Sequence, residues 1–252
     1  MRIRLACLMA LIGVSAHLLS AQPQRNQNRG RAMGPYRIGL EEMRSEQWEK
    51  AAADFHNALD IDPTFEMAYY ALGRSLMPQK KYAEAVTALA KCRDLYTEQA
   101  GRQFSNQQDA QQYRRERLTE LDEAIRQYQQ GPQTAQTSES IRQLTENRRL
   151  LQENLQRGTN ISIEMSVPSF VSMALGSAYF RLGSLADAER EYKATIAADP
   201  KTGEAYSNLA VVYLQTGRFD DAEKAVKSAE KTGFKVNPML KDDIASRKKA
   251  GS

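Results

Sequence analysis

The sequence predicts an all-α fold, an α-solenoid of about four helix-turn-helix repeats that a long antiparallel helical hairpin interrupts. The first observation is a spacing of 34 residues between matching landmarks: Tyr179 and Tyr213, Gly183 and Gly217, Gly39 and Gly73. The second is that 103 residues separate Gly73 from Gly176 where an uninterrupted array has 34, which leaves 69 inserted residues. Such a period indicates one helical hairpin per copy, and each hairpin must stack on a neighbour to bury its apolar face.

The N-terminal residues 1–21 have the composition of a secretory signal peptide. Two arginines precede an apolar stretch from Leu5 to Leu19, and the small residues Ser20-Ala21 follow it. We therefore expect export, to a bacterial periplasm or cell envelope, with cleavage after Ala21. Cleavage after Ala16 and retention as an anchor are the alternatives, although the apolar stretch is short for a bilayer, which needs about 20 residues.

The charge of the chain is nearly balanced once this segment is removed. The formal net charge of +4 falls to about +2 without the two arginines of the signal. This balance argues against nucleic acid or an acidic membrane as a partner, and membrane contact is expected only through an uncleaved signal. Residues 22–34 are polar and basic and are predicted to form a disordered tether.

Two stretches carry the repeat pattern: residues 35–97 for repeats one and two, and residues 169–236 for repeats three and four. Each copy has a small residue in its first helix and an alanine in its second, and two copies end in Asp-Pro. The residues that form the pattern are Gly73, Gly176, Tyr179, Ala210, Tyr213, Ala85, Ala188, Ala222, Asp62-Pro63 and Asp199-Pro200. This pattern resembles the tetratricopeptide repeat.

These residue types have a local physical reason. Small side chains such as Gly73 and Gly176 allow the paired helices to approach closely. Gly183 and Gly217 follow the first helices, where a left-handed cap is expected. A proline after Asp62 or Asp199 then ends the second helix of a repeat.

Residues 98–168 form the insertion. Apolar residues recur at three- and four-residue steps from Ala110 to Tyr128 and from about Ser140 to Leu155, which predicts two long amphipathic helices. Gly131-Pro132 favours a turn between them, so the simplest architecture is an antiparallel helical hairpin. Either the two apolar stripes bury each other, which we favour because their lengths match, or they drive coiled-coil self-association.

The basic residues of the insertion are not expected to bind nucleic acid. They alternate with glutamates at helical spacing, which is typical of a solvated helix face. The arginines concerned are Arg114, Arg115, Arg117, Arg148 and Arg149.

Residues 237–252 are predicted to form a capping helix. Asn237 is a favourable N-cap, and a proline at the first helical position follows it. Met239, Leu240 and Ile244 are expected to cover the last repeat while the charged residues face water, because a solenoid needs a polar outer face.

We predict no catalytic, cofactor-binding or metal-binding residues, and hence no enzyme activity. After removal of the signal, Cys92 and His56 are the only cysteine and histidine. They cannot form a zinc site, and the sequence has no phosphate-cradling glycine-rich loop.

The resemblance implies that the first helices line a concave groove that holds extended or helical peptides. A second apolar stripe lies on these helices, beside the face used for packing within the repeat. The residues predicted to bind a partner there are Tyr36, Leu40, Met43, Tyr70, Arg74, Met77, Phe170, Met173, Phe180, Arg181, Val211 and Leu214. The alternative is that the stripe packs against adjacent repeats or is covered by the inserted hairpin.

The sequence therefore predicts an exported scaffold that binds a protein or peptide through a concave apolar groove. The alternative function is that of a structural protein that oligomerises through its inserted hairpin.

Overall fold

The computed structural model describes residues 27–100, 107–130, 135–157 and 167–250. The predicted signal peptide at residues 1–21 lies outside the described residues, as does the start of the predicted tether. Within the described ranges, every element of regular secondary structure is an α-helix. This confirms the predicted all-α class.

The described ranges contain eleven helices, numbered in chain order. They are α1 (described from 27 to 44), α2 (Trp48–Ile61), α3 (Glu66–Leu76), α4 (Tyr82–Ala100), α5 (Gln107–Gln130), α6 (Ala135–Arg157), α7 (Ser169–Leu182), α8 (Leu185–Ala198), α9 (Gly203–Gln215), α10 (Phe219–Lys231) and α11 (Pro238–Ala250).

Four helix pairs form a solenoid: α1 with α2, α3 with α4, α7 with α8, and α9 with α10. Neighbouring pairs pack on each other through α2 and α3, through α4 and α7, and through α8 and α9. The packing of α4 on α7 continues the stack across the insertion. The apolar core lies between the helices along the whole stack.

The predicted repeat register is correct at the close contacts between paired helices. A Cβ atom added to a first-helix glycine would overlap a large side chain of the second helix in three of the copies. The nearest distances are 2.7 Å from Gly39 to Phe55, 2.5 Å from Gly73 to Leu89 and 2.8 Å from Gly176 to Tyr192. These glycines are therefore the points at which bulk would separate the pairs.

The turn inside each repeat requires a left-handed residue. Gly183 and Gly217 have φ angles of 87° and 72°, as predicted for these caps. Glu46 and Lys80 occupy the matching positions of the first two copies, with φ angles of 56° and 60°. A side chain is disfavoured in this region, so the geometry of the repeat outweighs local preference at both turns.

The two Asp-Pro sequences form matching turns between repeats. Asp62 accepts a hydrogen bond from the backbone N–H of Thr64 at 2.9 Å, and Asp199 accepts one from Lys201 at 3.1 Å. Burial acts to raise the pKa of Asp199. Hydrogen bonds from Arg142, from the Lys201 backbone and from a threonine hydroxyl outweigh it, so the pKa is lowered.

The helices α5 and α6 pack against each other within the insertion. Helix α6 includes residues from Ala135 onward, so the prediction of a start near Ser140 was late by at least five residues. The apolar residues Leu121, Ile125, Leu144 and Leu151 are buried in the same cluster as the first three repeats. The stripes of the insertion therefore cover the solenoid as well as each other.

The predicted tether is wrong for residues 27–34, which belong to helix α1. Ala32 is fully buried, and Arg29 forms ion pairs with Asp62 and Glu66. The Arg29 guanidinium also lies 4.3 Å from the centre of the Phe65 ring. These contacts with the start of the second repeat stabilise a stretch whose polar composition suggested disorder.

The C-terminal helix α11 packs on α10. The Asn237 side chain accepts a hydrogen bond from the Met239 N–H at 3.0 Å, and Ile244 is only 2% exposed. The expectation that Met239 covers the last repeat is wrong, because its side chain is 71% exposed. Leu240 is half-buried against the last repeats.

Candidate functional site

A concave pocket of about 520 Å³ lies where the first three repeats meet the fourth. Its walls come from α1, α3, α7 and α9, which are the first helices of the four repeats, and from the start of α2 and α4. Most of the first-helix residues that line it belong to the stripe predicted from the sequence, so the pocket lies on the expected face of the solenoid.

Seven of the twelve predicted partner-binding residues line this pocket. They are Met43, Tyr70, Arg74, Met77, Phe170, Met173 and Arg181. The other five lie elsewhere: Tyr36 and Leu214 are buried in the core, while Leu40, Phe180 and Val211 are half-buried outside the pocket.

Tyr70 and Phe170 form the floor of the pocket rather than an open surface. Their rings meet edge to face, with centroids 4.8 Å apart and planes at 71°. Both side chains are buried, at 5% and 3% exposure. At these two residues the stripe packs against an adjacent repeat, which was the alternative to an open binding surface. The stacking of α4 on α7 carries the second and third repeats close enough for the two rings to pack.

Methionines supply much of the remaining apolar wall. Met43, Met77 and Met173 are half-buried and come from three different repeats. The Met173 sulfur accepts a weak hydrogen bond from the Asn208 amide at 3.8 Å. Flexible thioether side chains can adjust to partners of different shape, so this wall suits apolar segments of variable sequence.

Eight of the fifteen residues that line the pocket were not among the predicted partner-binding residues, and three of these are Trp48, Lys80 and Tyr82. These three lie at the turns between the first and second helices of copies one and two. Trp48 and Tyr82 are 34 residues apart. This spacing was the signal that marks them as equivalent positions facing the same side of the stack.

The rim of the pocket is predominantly cationic. Arg74, Lys80 and Arg181 line it, together with one carboxylate, Glu204. The Arg74 guanidinium lies 5.7 Å from the centre of the Tyr70 ring, within the range of a cation–π contact. Burial raises the pKa of Tyr70, with Glu204 acting in the same direction and Arg74 against it.

One wall of the pocket is supported from behind by Tyr192. Its hydroxyl donates a hydrogen bond to Ser177 Oγ at 3.4 Å, and Ser177 lines the pocket. Burial raises the pKa of Tyr192 to about 12. The phenol therefore stays neutral at physiological pH and acts as a structural support for α7.

The insertion docks at the opposite end of α3 from the pocket. Arg117 of α5 donates to the Glu66 carboxylate at 3.2 Å and also to the Tyr96 hydroxyl. Glu66 is fully buried and pairs with Arg29 as well, at 3.1 Å. Charges withdrawn from water in this way are tolerated only when they are paired and hydrogen-bonded, so the cluster fixes α5 and α1 on the start of α3.

The prediction of a solvated arginine face on the insertion is wrong for two residues. Arg114 and Arg117 are each only 3% exposed. Arg115 and Arg149 are exposed, and Arg149 pairs with glutamates of its own helix.

The reactive side chains of the repeats do not converge on the pocket. Cys92 is fully buried; burial raises the pKa of its thiol well above the ordinary value, and Glu66 adds to this effect. His56 is exposed on α2. Among the residues that the structure describes, no three histidine, cysteine or acidic side chains are grouped to hold a metal ion. No described helix is long and apolar enough to cross a membrane.

A stack of paired helices with a concave, apolar pocket defines the class of helical-repeat binding scaffolds. A family model of the tetratricopeptide repeat matches residues 36–99 and 173–233, and the chain belongs to this family. The two matched ranges lie on either side of the insertion and correspond to the repeat pairs α1–α4 and α7–α10. No curated protein matches the chain in sequence.

Several solved structures match the chain at low sequence identity. PilW, described as a widely conserved type IV pilus biogenesis factor, is 17% identical with a TM-score of 0.39, and the match covers 86% of this chain and 85% of PilW. YrrB, described as a TPR protein with an unusual peptide-binding site, is 18% identical with a TM-score of 0.29 over 86% and 92% of the two chains. A thermophilic TPR protein of Thermus thermophilus is 21% identical with a TM-score of 0.31 over 86% and 98%.

Proposed function

We propose that the protein is an exported, non-enzymatic scaffold that binds a segment of a protein partner in the pocket between the first helices. The observation that supports this proposal is the pocket itself, whose apolar walls come from several repeats and remain open to solvent. A segment that enters it removes apolar surface from water, at about 25 cal/mol for each square ångström.

Export to a bacterial periplasm or cell envelope is part of the proposal. It is supported by the signal-like composition of residues 1–21. Cleavage after Ala21 would leave Gln22 as the first residue. N-terminal sequencing of the protein from the envelope fraction tests this, and an intact Met1 in all of the material would contradict cleavage.

The packing of the insertion weighs against the alternative of a structural oligomer. Coiled-coil association through α5 and α6 requires apolar stripes that are free to meet a second copy. Leu121, Ile125, Leu144 and Leu151 are instead buried within the same chain. Their burial favours the scaffold, whose function needs one open pocket per chain.

The decisive experiment is site-specific crosslinking in native envelopes. A photoreactive residue replaces Met77 or Met173 in the pocket, and the control places the same residue at Met239, an exposed methionine on α11. We expect one protein to crosslink from both pocket positions and not from the control. Equal labelling from all three positions would contradict the proposed site.

Substitutions at the same positions test affinity for the captured protein. Met77→Ser combined with Met173→Ser removes two apolar anchors from the wall without adding charge, and we expect binding to weaken at least about tenfold, since one good anchor is worth about 2 kcal/mol. Met239→Ser serves as the matched control. Unaltered binding by a well-folded double variant would show that the partner binds elsewhere.

A further inference from the structure

Three cationic side chains from different elements converge on the pocket. Arg74 belongs to α3, Lys80 to the turn after α3, and Arg181 to the last turn of α7. The described lining contains one carboxylate, Glu204, so positive charge is in excess. Arg74 and Arg181, which are 107 residues apart in the sequence, were predicted to lie in the groove, whereas Lys80 was not.

Two of these charges are accessible to a partner. Lys80 and Arg181 are exposed at the rim, whereas the floor consists of buried Tyr70 and Phe170. A concave site with low-dielectric walls concentrates the field of the charges around it and attracts ions of opposite sign. A carboxylate at the rim would keep contact with water while neighbouring side chains bury against the apolar floor.

We propose that the pocket selects a partner segment in which apolar side chains alternate with Asp or Glu side chains. The apolar side chains occupy the wall of methionine and aromatic residues, and the carboxylates pair with Lys80 and Arg181. Glu204 repels an acidic segment less than the three cations attract it, so the charges of the pocket favour acidic over basic partners. This inference rests on the proposed function and specifies the chemistry of the partner.

Short synthetic peptides with defined charge test the inference directly. Three fluorescent probes share the same Leu, Met and Phe residues and differ only in the intervening residues, which are Glu, Gln or Lys. Acetylated and amidated ends remove the terminal charges, and a fourth probe restores a free C-terminal carboxylate to the Gln peptide. Fluorescence anisotropy gives the affinity of each probe for the full chain.

We expect the Glu peptide to bind at least about tenfold more tightly than the Lys peptide at low salt, with a difference that shrinks as salt screens the rim charges. Equal affinities for the Glu, Gln and Lys peptides would overturn the charge selection and leave an apolar pocket in place. If only the probe with a free C-terminus binds, the pocket recognises a chain end and our inference is wrong. Absence of binding by every probe would count against the proposed function as well.

Charge reversal at the rim tests the residues. Lys80→Glu combined with Arg181→Glu should invert the preference, so that the Lys peptide binds better than the Glu peptide. The matched control reverses Lys227 and Lys235, which are exposed and lie outside the pocket. The melting temperature of each variant shows whether it folds. A folded rim variant that keeps the original preference would overturn the assignment to Lys80 and Arg181.

Discussion

The contact between Gly73 and Leu89 gives a quantitative test of how the repeats pack. A methyl group at Gly73 would lie 2.5 Å from Leu89 Cγ and 2.9 Å from one of its terminal carbons. Ordinary van der Waals contact begins near 3.4 Å, so the leucine or the helix must move by about 0.9 Å. Leu89 is fully buried, so its displacement disturbs the core side chains around it. Gly73→Ala should therefore separate α3 from α4.

Two effects of opposite sign determine how much Gly73→Ala changes the free energy of unfolding. Overpacking a buried contact costs about 1–3 kcal/mol. Alanine is favoured over glycine in a helix by about 1 kcal/mol, which offsets part of this cost. Gly30→Ala is the matched control because Gly30 is helical, exposed and has no atom within 4 Å of the added methyl group. The control isolates the helix preference, so the two variants should differ by about 1–3 kcal/mol.

Urea unfolding followed by circular dichroism measures this difference. We expect a lower midpoint for Gly73→Ala and a higher one for Gly30→Ala, with similar slopes. Leu89→Ala provides a rescue, because the smaller side chain makes room for the methyl group. In a double-mutant cycle, the Gly73 and Leu89 substitutions should then couple favourably. If Gly73→Ala stabilises the protein as much as Gly30→Ala does, the assigned register is wrong.

Further predictions concern the core, the insertion, acid stability and the cap. Replacing Tyr70 by Ser should lower the free energy of unfolding by about 3 kcal/mol or more, because a buried ring is lost; a melting temperature within a degree or so of wild type would contradict its burial. Glu66→Gln removes the buried carboxylate that pairs with Arg117 and Arg29 and should cost about 3–5 kcal/mol in urea unfolding, whereas Glu49→Gln at an exposed position of α2 should have little effect. The pKa of Asp199 is lowered in the folded state, so its contribution to stability is present above about pH 4 and is lost as the pH falls through the lowered folded value; Asp199→Asn should weaken this acid dependence. Deleting α11 uncovers the side of α10 that packs on Ile244 and should speed amide exchange throughout α10, and unchanged exchange would refute the capping role.

The repeat register could be predicted from the sequence because it depends on contacts inside one hairpin. A glycine and the large residue that covers it are about half a repeat apart, as with Gly73 and Leu89. The same constraint recurs in each copy, so a spacing of 34 residues makes it visible. The turns at Glu46 and Lys80 fit this spacing even though neither is a glycine.

Contacts between distant segments could not be predicted in the same way. The polar composition of residues 22–34 suggested a tether that ends before Pro35, yet α1 is already helical at residue 27 and continues through this proline. Arg29, upstream of it, is ordered by carboxylates more than 30 residues away. Arg117 of the insertion was expected to face water for a similar reason, because its acidic partner, Glu66, lies on another helix.

The burial of Tyr70 and Phe170 shows why a second apolar stripe is ambiguous. Helical periodicity identifies which side chains share a face, but it does not show whether that face meets solvent or another repeat. Tyr70 and Phe170 are far apart in sequence and meet only because α4 stacks on α7 across the insertion. The half-buried methionines on the same stripe remain at the wall of the pocket.

The insertion and the pocket use opposite ends of α3, and this separation has a functional consequence. Glu66, which holds Arg117, is the first residue of α3, whereas Arg74 and Met77 at its other end line the pocket. Along a helix, Met77 lies about 16 Å from Glu66, and Tyr70, on the floor of the pocket, lies about 6 Å from it. A partner segment in the pocket therefore does not need to displace the buried ion pairs of the insertion. Substitutions of Glu66 or of the arginines that pair with it should change stability more than affinity for the partner. Substitutions on the methionine wall should change affinity more than stability.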